Sequence, residues 1–244
     1  MKIYVEEDYQ KLSKKAAYIL ASQIRLKPNS ILGLATGDTP LGMYQELVAM
    51  HEKEDLDFGE ITTFNLDEYY GLERENPQSY YTYMMTNFFN KINISRKNTH
   101  IPNGKAPDIE AECIRYEAMI KEKGGIDLQI LGIGRNGHIG FNEPDVKFEA
   151  VTHLVQLDED TIQANARFFD NIEDVPTQAL SMGIKTIMQA KKILLLASGK
   201  EKAAAIERAL EGKIIPEIPA SVLQLHNDVV VILDREAASE LKQI

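Results

Sequence analysis

Apolar residues along this chain fall in two kinds of pattern. Ser30–Ala35, Ile61–Leu66, Ile126–Ile133, Lys192–Ala197 and Asp228–Asp234 are short runs that are continuously apolar or β-branched instead of alternating, the pattern of strands buried on both faces. Between them lie stretches with helical spacing: Tyr9 to Leu26, a segment opened by Pro40 in which Met43, Tyr44, Leu47 and Val48 form one stripe, Asp108 to Lys123, Thr161 to Phe169 and Lys200 to Leu210. Buried strands alternating with amphipathic helices predict an α/β fold with a mostly parallel sheet covered by helices on both faces. There is no internal repeat, no low-complexity stretch and no Pro/Gly/Ser-rich linker, so residues 1–244 are expected to form a single domain.

Composition narrows the class of partner. The 244 residues carry 27 basic and 37 acidic side chains for a formal charge of -10, which disfavours general binding to nucleic acid or anionic membrane but leaves room for a local basic pocket. The amino terminus has no apolar signal core, and no run approaches the length of a membrane span, so a cytoplasmic protein acting on a small molecule is expected. The lone cysteine, Cys113, shares helical spacing with Ile109, Tyr116 and Ile120 and reads as core.

In a parallel sheet the chemistry gathers beyond the carboxyl ends of the strands, where helix amino termini converge. Three such places stand out. Gly132 to Pro144 sets His138, Glu143, Asn136 and Asn142 among four glycines after the strand Leu128–Leu131. An imidazole passes protons in either direction near neutral pH, and a carboxylate five residues on can orient it; a metal site is the rival reading, with a thin ligand set. Asn65-Leu66-Asp67-Glu68-Tyr69-Tyr70 puts two carboxylates directly after a strand, and either Asp67 or Glu68 can act as a general base. Thr36-Gly37-Asp38-Thr39-Pro40 is a strand-to-helix turn, read either as a phosphate cradle or as a plain helix start with Thr39 as N-cap and Pro40 at N1. Arg167 and Lys202 are anion-binding candidates or ordinary surface cations. Lys202, in the first turn after a strand, opposes the helix dipole and needs a negative neighbour.

Taken in order, Leu32 to Pro40, Phe64 to Tyr69, Gly132 to Pro144, Asn165 to Phe169 and Leu223 to His226 resemble the glucosamine-6-phosphate deaminase family over nearly the whole chain. The pairing of NLDEY with GHIGFNEP carries the resemblance, because the related 6-phosphogluconolactonases have a different sequence after their DE pair. The resemblance implies a Rossmann-like α/β fold and conversion of glucosamine 6-phosphate and water to fructose 6-phosphate and ammonia, with no cofactor and no metal. By the same resemblance His138 opens the sugar ring with Glu143 and Asn136 in support, and Asp67 moves the C2 proton. Thr36, Gly37, Asp38, Thr39, Arg167 and Lys202 grip the phosphate, and Glu68, Gly134 and Gly137 complete the substrate-binding set.

The chain departs from the family pattern in three places. Asp38 stands where members carry Gly or Ser, and a carboxylate beside a phosphate is repulsive unless it points away or is neutralised. Asn136 stands where many members have Asp. Val146, His153 and Val155 occupy positions matching the effector site of longer, hexameric members, and the chain is brief after Glu236, so a non-allosteric monomer is expected. Residues 153–182, which carry Arg167, are expected to act as a mobile lid.

Overall fold

The computed structural model describes residues 1–169 and 171–242. The first half of the chain forms β1 (Lys2–Glu6), α1 (Tyr9–Leu26), β2 (Ile31–Leu34), α2 (Asp38–Glu54), β3 (Thr62–Asn65), β4 (Asp67–Tyr69), α3 (Tyr80–Asn87), β5 (Thr99–His100) and α4 (Ile109–Glu122). The second half forms β6 (Leu128–Leu131), β7 (His153–Gln156), α5 (Glu159–Asn165), β8 (Gln178–Ser181), α6 (Ile184–Met188), β9 (Lys192–Ala197), α7 (Ala203–Glu211) and β10 (Val229–Asp234).

All five strands expected from the apolar runs are present, within a residue or two at each end. They pair in parallel, with β1 and β5 added at the edges, in the order β1-β10-β9-β6-β2-β3-β5. From β2 the chain steps one way to β3 and β5, then returns to the other side of β2 to lay down β6, β9 and β10. Right-handed crossovers in opposite directions place their helices on opposite faces: α1 and α2, which pack on each other, cover one, and α4, whose Tyr116 ring meets Phe64 edge-on at 5.7 Å, covers the other. The reversal falls between β2 and β6. At that point the loops after the two strands diverge and leave a crevice.

The helix boundaries have local causes. Asp8 and Asp108 cap α1 and α4, accepting from the backbone N–H of Lys11 at 2.8 Å and of Ala111 at 2.9 Å. α2 differs from the expected start: its N-cap is Gly37 at φ 98°, with no side-chain cap bond, and Asp38 already lies inside the helix. A backbone with positive φ favours glycine, so the glycine, not Thr39, sets where the helix begins. The predicted helix over Thr161–Phe169 is α5 followed by a 3-10 turn at Ala166–Phe168. Likewise α7 is preceded by a 3-10 turn at Lys200–Lys202.

A second, antiparallel ribbon, β4-β8-β7, was not legible in the apolar pattern. β4 has three residues and begins on Asp67, and β7 is half-exposed, so neither shows a buried run. The ribbon leaves the main sheet at Leu66, whose N–H donates to Leu34 O at 2.9 Å and whose carbonyl accepts from Met182 N at 2.7 Å. Tyr69, Phe141, Leu157 and Ala179 make a small apolar cluster beneath it, with Tyr80, Ile162 and Phe169 packed against it. β7 and β8 are thus tied to β4, which narrows the expected lid to the stretch between them.

Candidate active site

The glycine-rich loop leaves β6 and folds back on itself. Gly134 N donates to His138 O at 2.9 Å and Gly137, at φ 93°, donates to Gly134 O at 3.0 Å. The His138 ring lies flat on Gly134: a Cβ there would stand 2.3 Å from Cε1 and 2.4 Å from Nδ1. Only a residue without a side chain lets the imidazole take this place. Gly134 and Gly137 shape the turn, and Gly134 seats the ring.

His138 and Glu143 are brought together. Nδ1 is 3.1 Å from Glu143 Oε2, and the same oxygen accepts from Asn136 Nδ2 at 2.8 Å. Asn136 also accepts from the His138 backbone N–H through Oδ1 at 3.2 Å. The other oxygen, Oε1, accepts from the Thr161 hydroxyl at 2.6 Å. Burial pushes the Glu143 carboxyl up, but the hydrogen bond and charge of His138 and the bonds from Thr161 and Asn136 outweigh it and hold it below the usual range. Sequence reasoning missed Thr161, because nothing in α5 signals that its hydroxyl reaches back to the loop.

Asp67 lies across the crevice on β4, 6% exposed. Burial first, and then the neighbouring charge of Glu68, raise its carboxyl from 3.8 to about 8. It adjoins the glycine-rich loop: a Cβ on Gly140 would be 3.6 Å from Asp67 Oδ2. Glu68 has a different task from the one expected. Its Oε1 accepts from the N–H groups of Tyr69 and Tyr80, and Oε2 from that of Tyr81, each at 2.9 Å, so it ties the amino terminus of α3 to β4. Of the pair after β3, Asp67 is the carboxylate left for chemistry.

The turn after β2 is held from two sides. Tyr9 donates to Asp38 O at 2.7 Å and Tyr83 donates to Gly37 O at 2.6 Å. Arg167 reaches this turn from the far end of the α5 stretch, Nη2 to Asp38 Oδ2 at 2.5 Å. Lys202 is pushed down by burial; Glu201 offsets this, the Arg135 and Arg167 cations add to it, and Asp38 opposes them. Arg135 and Arg167 thus lie within electrostatic reach of Lys202, and Arg167 meets the turn after β2 directly, an arrangement that suits a multiply charged anion. Arg135, within the glycine-rich loop, is a member of this group that the sequence reading overlooked.

Both groups, the carboxyl and imidazole residues and the cations beside the turn after β2, draw on loops from the two sides of the switch point between β2 and β6. A family model described as glucosamine-6-phosphate isomerases/6-phosphogluconolactonase matches residues 5–232. The chain belongs to this family. Among the family's members it is 62% identical over 241 residues, 99% of each chain, to a glucosamine-6-phosphate deaminase of Clostridium botulinum (strain Loch Maree / Type A3). A solved monomeric glucosamine-6-phosphate deaminase superposes with a TM-score of 0.96 at 53% identity, covering 98% of this chain and 100% of that one. The 6-phosphogluconolactonase of Trypanosoma cruzi, at 18% identity, a TM-score of 0.78 and coverage of 99% and 97%, shares the fold.

The remaining candidates of the family reading fall as follows. Thr36 and Gly37 stand on the turn after β2 and Thr39 in the first turn of α2, with Thr36 paired to the Tyr80 hydroxyl. Tyr80 joins Tyr69 and Phe141 in an aromatic stack, at 4.8 and 6.0 Å between centroids, whereas Tyr81 turns away under the Arg74 guanidinium. His51, in the last turn of α2, bonds Leu56 O, and His226 bonds Ala190 O. Val146 is exposed, and His153 and Val155 lie on β7. Among the described residues no helix is long and apolar enough to cross a membrane.

Proposed function

We propose that the protein is a glucosamine-6-phosphate deaminase that converts glucosamine 6-phosphate and water to fructose 6-phosphate and ammonia. The observation that carries this reading is the adjacency of two separate acid–base groups: a buried, proton-retaining Asp67 and a largely buried His138–Glu143 pair on the facing loop. An isomerisation that starts from a cyclic amino sugar needs both. His138 takes the proton from the anomeric hydroxyl and returns one to the ring oxygen, with Glu143 and Asn136 fixing its orientation. Asp67 then removes the C2 proton, the electron pair moving onto the C1 carbonyl, whose oxygen takes a proton to give an enolamine; the proton returned to C1 leaves a C2 imine, to which water adds before the nitrogen leaves as ammonia and the C2 ketone forms. Arg167, Lys202, Arg135 and the backbone of Thr36–Thr39 hold the phosphate at the far end, which keeps C1 and C2 in register with both groups.

The test is an assay of the purified protein with glucosamine 6-phosphate, following ammonia and fructose 6-phosphate together. Equal amounts of both products are expected. Hydrolysis of 6-phosphogluconolactone with no ammonia from the amino sugar would overturn the reading. The solved monomeric relative supports a monomer for this chain as well, so sizing chromatography is expected to give a particle of 27.5 kDa; a hexamer counts against it.

The segment Asp158 to Phe169 serves in this reading as the closing arm, since it brings Thr161 to Glu143 and Arg167 to the turn after β2. Thr161→Val removes the hydroxyl that bonds Glu143 Oε1 while keeping the side chain's shape. A lost bond to a charged acceptor is worth about 1.5–3 kcal/mol, so the Glu143 carboxyl moves up and the acid limb of kcat/KM moves to higher pH. Thr161→Ser restores the profile. An unshifted limb in Thr161→Val shows that the arm does not support the carboxylate.

A further inference from the structure

The turn that receives the phosphate carries an anion of its own. Asp38 is placed at the first position of α2, and its carboxylate meets Arg167, 129 residues further along the chain, at 2.5 Å. The two partners are not equally mobile. The backbone on either side of Asp38 is fixed by Tyr9, which donates to the carbonyls of Asp38 and Thr39 and accepts from Gly42 N at 2.8 Å, and by Tyr83 on Gly37. Arg167 stands in the 3-10 turn that ends a short helical arm, α5 and the turn after it, joined to the body near its start by Thr161 and just after its finish by Phe169, edge-on to Tyr69 at 6.1 Å. The carboxylate is the anchor, and the arginine is what it positions.

The charges around the turn are balanced by two acids. Arg135 and Arg167 act unfavourably on Lys202, Glu201 beside it offsets them, and Asp38 is the acid on the turn itself that does the same. Both members of the Asp38–Arg167 pair are well exposed, at 60% and 63%, and an exposed ion pair is weak. A phosphate brings close to two negative charges and three acceptor oxygens to the same guanidinium. The pair is thus strong enough to bias the arm and weak enough to be exchanged.

We propose that Asp38 is an internal stand-in for the substrate phosphate: it holds Arg167, and the Glu159–Phe168 arm with it, over the turn after β2 and gives up the guanidinium when the phosphate arrives. The inference rests on the reading of Arg167 as a phosphate ligand. It makes Asp38 a positioning residue that also competes with substrate, so the turn binds phosphate less tightly than its cations allow, while the arm is already in place when substrate enters.

The experiment compares the full-length protein with Asp38→Asn and Arg167→Ala, using competitive inhibition by inorganic phosphate and limited trypsin cleavage after Arg167. In Asp38→Asn the inhibition constant for phosphate and the KM for glucosamine 6-phosphate are expected to fall about three- to fivefold, the exchange value of one exposed ion pair. Cleavage after Arg167 without ligand is expected to accelerate, and saturating phosphate to restore protection. Unchanged or weakened phosphate inhibition in Asp38→Asn, or an unchanged cleavage rate, overturns the proposal. Arg167→Ala separates the two ideas: if it leaves phosphate inhibition intact, the reading of Arg167 itself has failed, and if it weakens inhibition while Asp38→Asn does nothing, only the stand-in role has.

Discussion

Asp67→Asn is expected to lower kcat by about a thousandfold or more and, at neutral pH, to raise Tm. Both effects come from one cause. Asp67 is 6% exposed, none of the ion pairs among the described residues involves it, and its nearest charge is the like charge of Glu68. A carboxylate in that setting is a strong base, and general acid–base catalysis contributes on the order of 10² to 10⁴ in rate. An amide of nearly the same shape cannot take a proton, so the isomerisation loses its base while ring opening continues.

The stability effect follows from the sign of the shift. The folded-state value of about 8 lies above the ordinary 3.8, so between those limits the folded protein keeps a proton that the unfolded chain has released. Stability therefore falls as pH climbs through that window, and the cost of the buried charge is complete above about pH 8. Asparagine never ionises, so the Tm advantage of Asp67→Asn is small near pH 4 and grows toward pH 8. Thermal melts of both proteins at the two pH values check this, and an advantage independent of pH would show that the carboxyl is not held up by its surroundings. For the active enzyme the same shift makes kcat/KM rise with pH through about 8, because only the ionised form removes the C2 proton.

The second large effect is expected at His138. His138→Gln should lower kcat/KM by about a hundredfold to a thousandfold, with its loss in a different step. If the histidine opens the ring, the variant still binds an open-chain amino alditol phosphate as tightly as the wild type, since that ligand has no ring to open. Glu143→Gln should follow the same pattern with a smaller loss, because the amide still accepts from Thr161 but offers no charge to the imidazolium. Affinity for the alditol phosphate falling in parallel with activity in both variants would mean that the loop binds substrate instead of moving protons.

Much of this protein is legible in one dimension. Five strands of the parallel sheet show as unbroken apolar runs because helices cover both faces and leave no solvent-facing residues to alternate. The site loops are legible for a related reason: they follow those strands and carry glycines where the chain must turn sharply. Gly37 and Gly137 mark bends at positive φ, and Gly134 marks a place where a ring must lie on the backbone. The acid and imidazole residues of Gly132–Pro144 are close in sequence, so their pairing could be read before any folding.

Tertiary structure decided what depends on distance along the chain. Asp67 and Glu68 are equivalent in sequence, and only the parting of β4 from the main sheet turns Glu68 to the amino terminus of α3 and leaves Asp67 facing the loop. Thr161 and Arg167 gain their partners, Glu143 and Asp38, from an arm carried by a ribbon too short and too exposed to show an apolar pattern. The sequence by itself determined the parallel sheet and the chemical groups at its edge, because periodicity and turn chemistry are local. Which carboxylate is buried without a cation, and which arginine meets which acid, follow from the switch point between β2 and β6, where segments far apart in the chain are brought within hydrogen-bonding distance.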